Sequence, residues 1–453
     1  MLRLKTKSHW QGGLFLFSHF GSILDLSRKM MNGVLNILRR ILTACAVLFA
    51  VVPGVTSSQG LPRVTVRGTV VDDSTNVPLP LVNVFLANTT LGAATDKGGW
   101  FEIRGVPIGT HELVASIVGY EPYSSRLQVA ERNNPRIQIR LVPKMLEMPA
   151  VEVVAADPIE WRRNYERFRE LFIGNTPNAT QCRLLNPEFL DFKRPQPDLF
   201  EATARQPLRI ENRALGYRIE FLLVTFKADK DFLTLEGQPR YEELEPRNEE
   251  EKEMWKKNRE RSYYGSLRHF LISLVNGRLE DEGFIIYELP SLFLDDRYGV
   301  RSWIGGGRIV SPGMNPYEKS VHFKEFLEVE YQRGDVETGY QLLRKRGTDH
   351  QVSWITLMWE AITVDIEGRI RQSFPLKVYG YWAWKRLADA LPQDYSPSES
   401  LYRYATLQLR LSRYQNRVPD SAQSYPWAYR SRTILLINAL SSPRTTSKYT
   451  PEL

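Results

Sequence analysis

The sequence predicts a β-rich protein of several domains, in which a seven-stranded β-sandwich is followed by a mixed α+β domain. Three observations lead to this fold class. The chain has 453 residues, which is too long for one ordinary domain. Short runs within residues 63–141 carry apolar residues at every second position, the pattern of half-buried strands. Beyond residue 158, segments of helical period alternate with strand-like runs, which indicates an α+β domain.

The composition is that of a folded, water-soluble protein, with 42% apolar and 25% charged residues. The formal net charge is +8. Residues 1–60 hold seven Lys and Arg residues against one Asp, so most of the excess lies there. The rest of the chain is close to neutral and gives no reason to expect a nucleic-acid partner.

Residues 1–58 are predicted to be an export signal. Arg39 and Arg40 precede a run of twelve apolar or small residues, 41–52, and further small residues follow it. This run is shorter than the roughly 20 residues of a permanent transmembrane helix, so we expect no membrane span in the mature chain. Met30 or Met31 would start a signal peptide of ordinary length, so we expect one of them to be the true start. The predicted location is the periplasm or the outer-membrane surface.

Removal of the signal leaves Cys182 as the sole cysteine of the predicted mature chain. No internal disulfide is therefore expected, and the fold must depend on its core. The sequence leaves open whether Cys182 is a buried apolar residue or a free thiol.

Six runs of alternating residues mark the strands of the sandwich. In the first run, Val64, Val66 and Val70 fall on one face, and polar side chains fall on the other. Strands at such short spacing, with no helical period among them, predict a sandwich of about seven strands. The runs lie at residues 63–70, 82–86, 101–103, 113–117, 127–129 and 137–141.

Two glycine-containing segments connect these strands. In "TDKGG", which begins at Thr95, Gly98 and Gly99 permit the positive φ angles that a tight hairpin needs. In "GVPIGT", which begins at Gly105, the chain reverses again. We therefore assign a structural role in turns to five residues: Asp96, Gly98, Gly99, Pro107 and Gly109.

The same region carries an ordered set of residues. The set comprises Gly68-x-Val70, Asp72, Pro78-Leu79, Val82-x-Val84-x-Leu86, Gly92, Thr95-Asp96-x-x-Gly99-x-Phe101, Val106-Pro107-x-Gly109, Leu113 and Gly119-Tyr120. It resembles the carboxypeptidase-regulatory-like domain, a transthyretin-like β-sandwich, over residues 62–143, under a fifth of the chain. The resemblance implies a non-catalytic domain and an exported protein of Bacteroidetes-type bacteria. Leu81 departs from the family, which often has glycine there.

The histidines argue against a zinc carboxypeptidase, which needs a His-x-x-Glu pair and a distant third histidine on the metal. His322 and Glu325 have this spacing, but the last histidine, His350, follows only 28 residues later. The order of domains is also reversed relative to those enzymes. We predict no metal, no cofactor and no catalysis, and keep a carboxypeptidase-type hydrolase as the least favoured alternative. His111 is expected on the outward side of its strand.

The remaining chain is divided into a linker at 144–159, an α+β domain at 160–440 and a disordered tail at 441–453. Helical segments are expected at 159–173 and within 245–275, with strands between and after them. Segments that begin at Cys182, Leu215, Tyr263 and Tyr379 resemble the region behind the same sandwich in exported Bacteroidetes-type proteins, a group without an assigned activity.

Four aromatic residues form the candidate ligand site: Tyr379, Tyr381, Trp382 and Trp384. Such rings can stack on sugars, but the same pattern also suits a packing seam, and the sequence leaves both open. The leading hypothesis is a non-catalytic, exported protein of the cell envelope that binds an envelope protein or a glycan. The alternative is a carbohydrate-binding or outer-membrane-transport accessory protein, with peripheral association at the outer membrane.

Overall fold

The computed structural model describes residues 61–132, 136–144, 158–292, 301–343 and 350–397, and a strand at 434–437. The predicted signal, most of the linker and the predicted tail lie outside the described residues. The chain divides into two compact units, Met1–Gly60 and Leu61–Leu453. Within the described ranges, no helix is both long and apolar enough to cross a bilayer.

Seven strands form the predicted sandwich, which confirms the fold class for this part of the chain. They are β1 (Arg63–Asp72), β2 (Asn83–Leu86), β3 (Gly92–Ala94), β4 (Trp100–Pro107), β5 (Gly109–Ser116), β6 (Tyr123–Val129) and β7 (Ile137–Leu141). One sheet has the order β4-β1-β7 and the other the order β3-β2-β5-β6. Strand β1 is antiparallel to β4 and parallel to β7.

Alternate residues of both sheets fill the core of the sandwich, as the period of two predicts. Val70 and Leu113 are fully buried there, together with the ring of Phe101. Gly68 permits this packing, because a Cβ at its position would lie 2.3 Å from the carbonyl oxygen of Ile137 and 2.6 Å from the Phe101 ring. A side chain at Gly68 would force the neighbouring strand β7 or the Phe101 ring to move.

Asp96 organises the turn between β3 and β4. Its Oδ1 accepts hydrogen bonds from the backbone N–H groups of Gly98 (2.8 Å) and Trp100 (2.9 Å). Gly99 has a φ of 72°, and a Cβ there would lie 2.5 Å from the carbonyl oxygen of Val70. Because β3 and β4 belong to different sheets, this segment crosses between sheets and is not the tight hairpin expected from the sequence.

Two further turns have backbone constraints of their own. Pro107 ends β4 and Gly109, with a φ of 126°, begins β5. Leu81 has a φ of 59° and is 75% exposed. For a residue with a Cβ this left-handed conformation costs about 1–2 kcal/mol, which explains why the resembling family often has glycine at this position.

The second part of unit Leu61–Leu453 is a mixed α+β domain, as predicted. Its helices are α1 (Pro158–Phe172), α2 (Glu249–Tyr263), α3 (Leu267–Val275), α4 (Thr338–Leu343) and α5 (Tyr381–Trp384). Its strands are β8 (Cys182–Leu184), β9 (Leu190–Gln196), β10 (Leu199–Ala204), β11 (Leu208–Asn212), β12 (Tyr217–Ala228), β13 (Phe232–Glu243), β14 (Phe284–Leu289), β15 (Ser302–Trp303), β16 (Val310–Pro312), β17 (Glu318–Val321), β18 (Phe326–Tyr331), β19 (Gln351–Leu357), β20 (Ile362–Asp365), β21 (Leu376–Gly380) and β22 (Ile434–Ile437).

Twelve of these described strands join in one long sheet. Its main order is β15-β14-β18-β19-β21-β22-β13-β12-β10-β9, and β11 pairs with β12 and β8. A smaller sheet has the order β16-β17-β20. Helices α1 and α3 bury Phe168, Phe172 and Phe270 in the same apolar cluster as the core-facing residues of the long sheet, so the domain has one continuous core.

The charged segment assigned to a helix from its sequence forms two helices. Asn248 caps α2, because its Oδ1 accepts the backbone N–H of Glu251 at 2.8 Å. Gly265, with a φ of 77°, turns the chain after α2. Ser266 then caps α3, since its Oγ accepts the backbone N–H of His269 at 3.1 Å. The cap residues and the glycine thus divide the segment.

The β12–β13 hairpin covers the outward face of β2 and β5. Phe85, Ala87 and Val114 are buried in a small apolar cluster against which Leu222 packs. Backbone groups of the two parts also pair, because the N–H of Asn88 donates to the carbonyl oxygen of residue 239 at 2.7 Å. The sandwich is therefore held against the α+β domain by apolar packing and by main-chain hydrogen bonds.

A buried polar group lies at the same interface. Glu112 is buried, and its Oε1 accepts hydrogen bonds from Gln238 and from Ser124 Oγ (2.7 Å). Gln238 Nε2 also donates to Ser124 Oγ at 2.9 Å. Buried polar groups are tolerated when they find partners, so this trio favours one docking position of the sandwich.

His111 is not on the outward side of its strand, as expected from the sequence, but is only 4% exposed. His111 and Leu113 are two residues apart in β5 and therefore lie on the same face of the strand, which faces the core of the sandwich. Its Nε2 lies 2.7 Å from the carbonyl oxygen of Pro107, and so carries the proton and donates. Burial, followed by the charge of Arg369, lowers the pKa of His111 to about 4.

We predict that Val114→Asp lowers the free energy of unfolding by about 3 kcal/mol or more, because it places an unpaired charge in a closed interface. Val118→Asp is the matched control, since Val118 is 91% exposed and surface changes stay within about 0.5 kcal/mol. Urea unfolding of both variants measures the difference. Equal stabilities would mean that the outward face of β5 is not covered.

We also predict that stability falls as the pH drops from about 6.5 to about 4. Unfolded His111 takes up a proton near its ordinary pKa of 6.5, whereas the folded side chain does so only near pH 4. The unfolded chain binds more protons in this pH window. The free energy of unfolding therefore falls by roughly 3 kcal/mol as the pH drops through the window. Urea unfolding of His111→Gln should show a flatter pH dependence of the stability than wild type, and an unchanged dependence would contradict this prediction.

Candidate functional site

The four aromatic residues predicted as a ligand site lie in and beside α5, but they are not equally accessible. Tyr381 and Trp382 are buried, with Trp382 7% exposed. The indole N–H of Trp382 donates to the carbonyl oxygen of Gly265 at 2.6 Å. Tyr379 and Trp384 are half-buried. A ligand could therefore reach the rings of Tyr379 and Trp384 but not those of the other two without a rearrangement.

Tyr381 takes part in a buried polar and aromatic cluster. Its hydroxyl donates to Glu337, and Lys385 Nζ donates to the same carboxylate at 2.5 Å. Burial raises the pKa of Glu337, but the charge and hydrogen bond of Lys385 outweigh it and hold the pKa below the usual value. Tyr340 meets the Tyr381 ring edge-on at 5.2 Å, and Trp384 lies 5.8 Å away. These contacts hold the start of α5 against α4.

Tyr379 also belongs to a cross-strand row that sequence analysis missed. Five directly opposed residues on five neighbouring strands form this row: Trp303, Tyr287, Glu328, Trp354 and Tyr379. Opposed residues point to the same face of a sheet, so the row lies on the face away from the core. The alternation of residues within each strand indicates which face of the sheet a side chain occupies. Only the register of strand pairing places the five side chains opposite one another.

An ion cluster holds the middle of the row. Arg301 Nη1 donates to Glu328 Oε1 at 2.6 Å and to Glu330 Oε1 at 2.8 Å, and its guanidinium lies 4.0 Å from the Tyr287 ring centre. Trp354 Nε1 donates to Glu328 Oε2 at 2.8 Å. Burial raises the pKa of Glu328. Both oxygens of Glu328 are engaged, so this part of the row stabilises the sheet. Trp303, at the edge, is 61% exposed.

A cleft of about 500 Å³ lies beside the β14–β15 pair. This volume falls in the range of small-molecule sites, roughly 300–1,000 Å³. Its apolar wall includes Leu289, Ile309 and Phe323, and Ser302 adds a hydroxyl. The lining therefore joins apolar surface to polar groups, as small-ligand sites do.

Five ionisable side chains line this cleft: Glu288, Arg308, His322, Lys324 and Glu325. Within the described part of the chain none of them has a side-chain hydrogen bond or ion pair. The two carboxylates balance the two cations, Arg308 and Lys324. Glu325 has a φ of 54°, a conformation that is uncommon for residues with a Cβ. With no partner among the described residues, these polar groups could bind a ligand that offers both donors and acceptors.

His322 and Glu325, which have the spacing of a zinc carboxypeptidase pair, are exposed in this cleft. No group of three or more His, Cys, Asp or Glu side chains is close enough to hold a metal in the ranges that the structure describes. Cys182 is buried and free, and burial raises its pKa to about 12. Its free thiol stays protonated near neutral pH, so Cys182 packs as a buried apolar residue and is not a reactive thiol.

Comparison with known proteins finds a family match for the first domain. Residues 66–153 match the family described as the CarboxypepD_reg-like domain. No curated protein matches the sequence. Among solved structures, a streptococcal ancillary pilin is similar at 20% identity over 19% of this chain and 30% of that chain, with a TM-score of 0.15.

Two further solved structures come from Bacteroides species. One, from Bacteroides uniformis, is provisionally described as a carbohydrate binding protein, with 9% identity over 36% of this chain and 61% of that chain and a TM-score of 0.16. The other, from Bacteroides fragilis, is provisionally described as membrane-associated and of unknown function. It has 15% identity over 36% of this chain and 66% of that chain, with a TM-score of 0.15. The chain thus spans less than two thirds of either protein's length. The seven-stranded sandwich at the start of the described chain thus contains most of the match to the CarboxypepD_reg-like family.

Proposed function

We propose that this chain is an exported, non-catalytic binding protein of the cell envelope. In this proposal the CarboxypepD_reg-like sandwich is a fixed support, and the α+β domain binds the partner, an envelope protein or a glycan. The covered face of β2 and β5 supports the role of the sandwich as a fixed support, because the outward surface of that sheet is buried against the α+β domain.

The cleft beside β14 and β15 is the observation that carries the proposal. Charged side chains in the described chain commonly form ion pairs, as Arg301 does with Glu328 and Glu330. The five ionisable side chains of the cleft have no such partner within the described residues. A site that binds a polar ligand needs hydrogen-bond donors and acceptors without partners in the protein, next to an apolar wall.

The second candidate function is that of a carbohydrate-binding or outer-membrane-transport accessory protein that uses its aromatic surface. The half-buried rings of Tyr379 and Trp384 and the exposed Trp303 support this candidate. Aromatic faces combine a large apolar area with a fixed orientation, which suits the flat faces of sugar rings.

We predict that the full chain, tagged at its C-terminus and expressed in a bacterium with two membranes, is found in the periplasmic or outer-membrane fraction. A chain that lacks residues 1–58 is the control and should stay in the cytoplasm, because it lacks the apolar segment that directs export. Fractionation followed by immunoblotting measures the distribution. Recovery of the full chain in the cytoplasm would contradict an envelope function.

A glycan array is expected to separate the two candidate sites. Glu288→Gln with Arg308→Gln should weaken binding by about tenfold or more if the cleft is used, because charge-assisted hydrogen bonds are lost. Tyr379→Ala with Trp384→Ala should do so if the aromatic surface is used. Trp359→Ala is the control, since Trp359 is also exposed but lies outside both sites. Glycan binding that none of the cleft or aromatic variants weakens would rule out both sites.

A further inference from the structure

Helix α1 lies over the β9–β10 hairpin and is held there by aromatic rings. The ring of Phe168 lies 5.9 Å from that of Phe192, which lies 5.7 Å from that of Phe200. Phe168 and Phe200 are fully buried. Because these contacts fix the helix on the hairpin, side chains at the edge of the contact are held in defined positions.

Two arginines lie over the same ring at this edge. The guanidinium carbon of Arg167, from α1, is 4.8 Å from the centre of the Phe200 ring, and that of Arg194, from β9, is 6.0 Å from it. Arg194 Nη2 also donates to Oδ1 of the buried Asn164 at 2.9 Å. The ring and the amide thus hold two cations, one from each element, around the same Phe200 ring.

No carboxylate pairs with either guanidinium within the described part of the chain. Burial, followed by the charge of Arg194, lowers the pKa of Arg167, while Glu170 on the same helix acts in the opposite direction. Other arginines of the described chain pair with an acid, as Arg205 does with Asp191 at 3.2 Å. Within the described residues the pair therefore keeps a local excess of positive charge.

We propose that Arg167 and Arg194 form a binding site for an oxyanion of the phosphate type. Each planar guanidinium can offer two parallel N–H donors to such a group, and an anion between them would remove their mutual repulsion. The phosphate could belong to an anionic lipid headgroup or to a soluble phosphate ester. This site is separate from the cleft and goes beyond the proposed function.

The test uses the full chain and two probes. Inorganic phosphate is titrated in a calorimeter, and lipid vesicles are used in a flotation assay. The vesicles contain phosphatidylcholine alone or with phosphatidylglycerol. Wild type is expected to bind at least one anionic probe, and Arg167→Gln with Arg194→Gln should weaken this binding about tenfold or more. Arg183→Gln with Arg218→Gln is the control, since these arginines already face Glu211 at 3.8 Å and Glu242 at 3.7 Å.

Each outcome supports or overturns the site. Binding only to vesicles with phosphatidylglycerol supports a lipid headgroup, and binding of inorganic phosphate without vesicles supports a soluble ester. Arg194→Gln alone leaves Arg167 on the Phe200 ring and provides a milder variant if the double substitution unfolds the domain. The proposal is overturned if wild type binds neither probe, or if the Arg167 and Arg194 variants bind as the control does.

Discussion

The contact between the sandwich and the β12–β13 hairpin is the constraint on which the described structure depends. Val114 and Leu222 exclude water from this contact, and Glu112 finds its partners in Gln238 and Ser124. A buried carboxylate is costly unless it is hydrogen-bonded, so the apolar cluster and the polar trio must form together. The sandwich is thereby held in one position, and unit Leu61–Leu453 is compact as a whole.

The end of the long sheet formed by β14 and β15 lies away from the β12–β13 contact with the sandwich. There the two faces of the β14–β15 edge differ in how their charges are used. On one face Arg301 is neutralised by Glu328 and Glu330, which makes that face a stable part of the sheet. In the cleft the charged groups have no such partners within the described residues. Paired charges stabilise the sheet, whereas the cleft charges without a described partner are the groups on which the proposed ligand site rests.

Local patterns predicted the elements of the fold well, because local geometry sets them. The period of two located the main strands of the sandwich, the apolar stripe located α1, and the glycines located the turns. The type of one turn was wrong, since a hairpin and a crossing between sheets need the same residues. Asp96 and Gly99 permit the bend, but the partner of each flanking strand decides which sheet the chain enters.

The sequence by itself determined the fold class, the family resemblance of the first domain and the candidate aromatic residues. Only the tertiary structure decided which of these residues are accessible, with Trp382 buried and Trp303 exposed, and which groups meet across strands. It also decided that Glu112 is covered and that His111 is buried. The physical reason is that alternation defines two faces of a strand, whereas burial and cross-strand contact depend on what packs against each face, and that partner comes from a distant part of the chain.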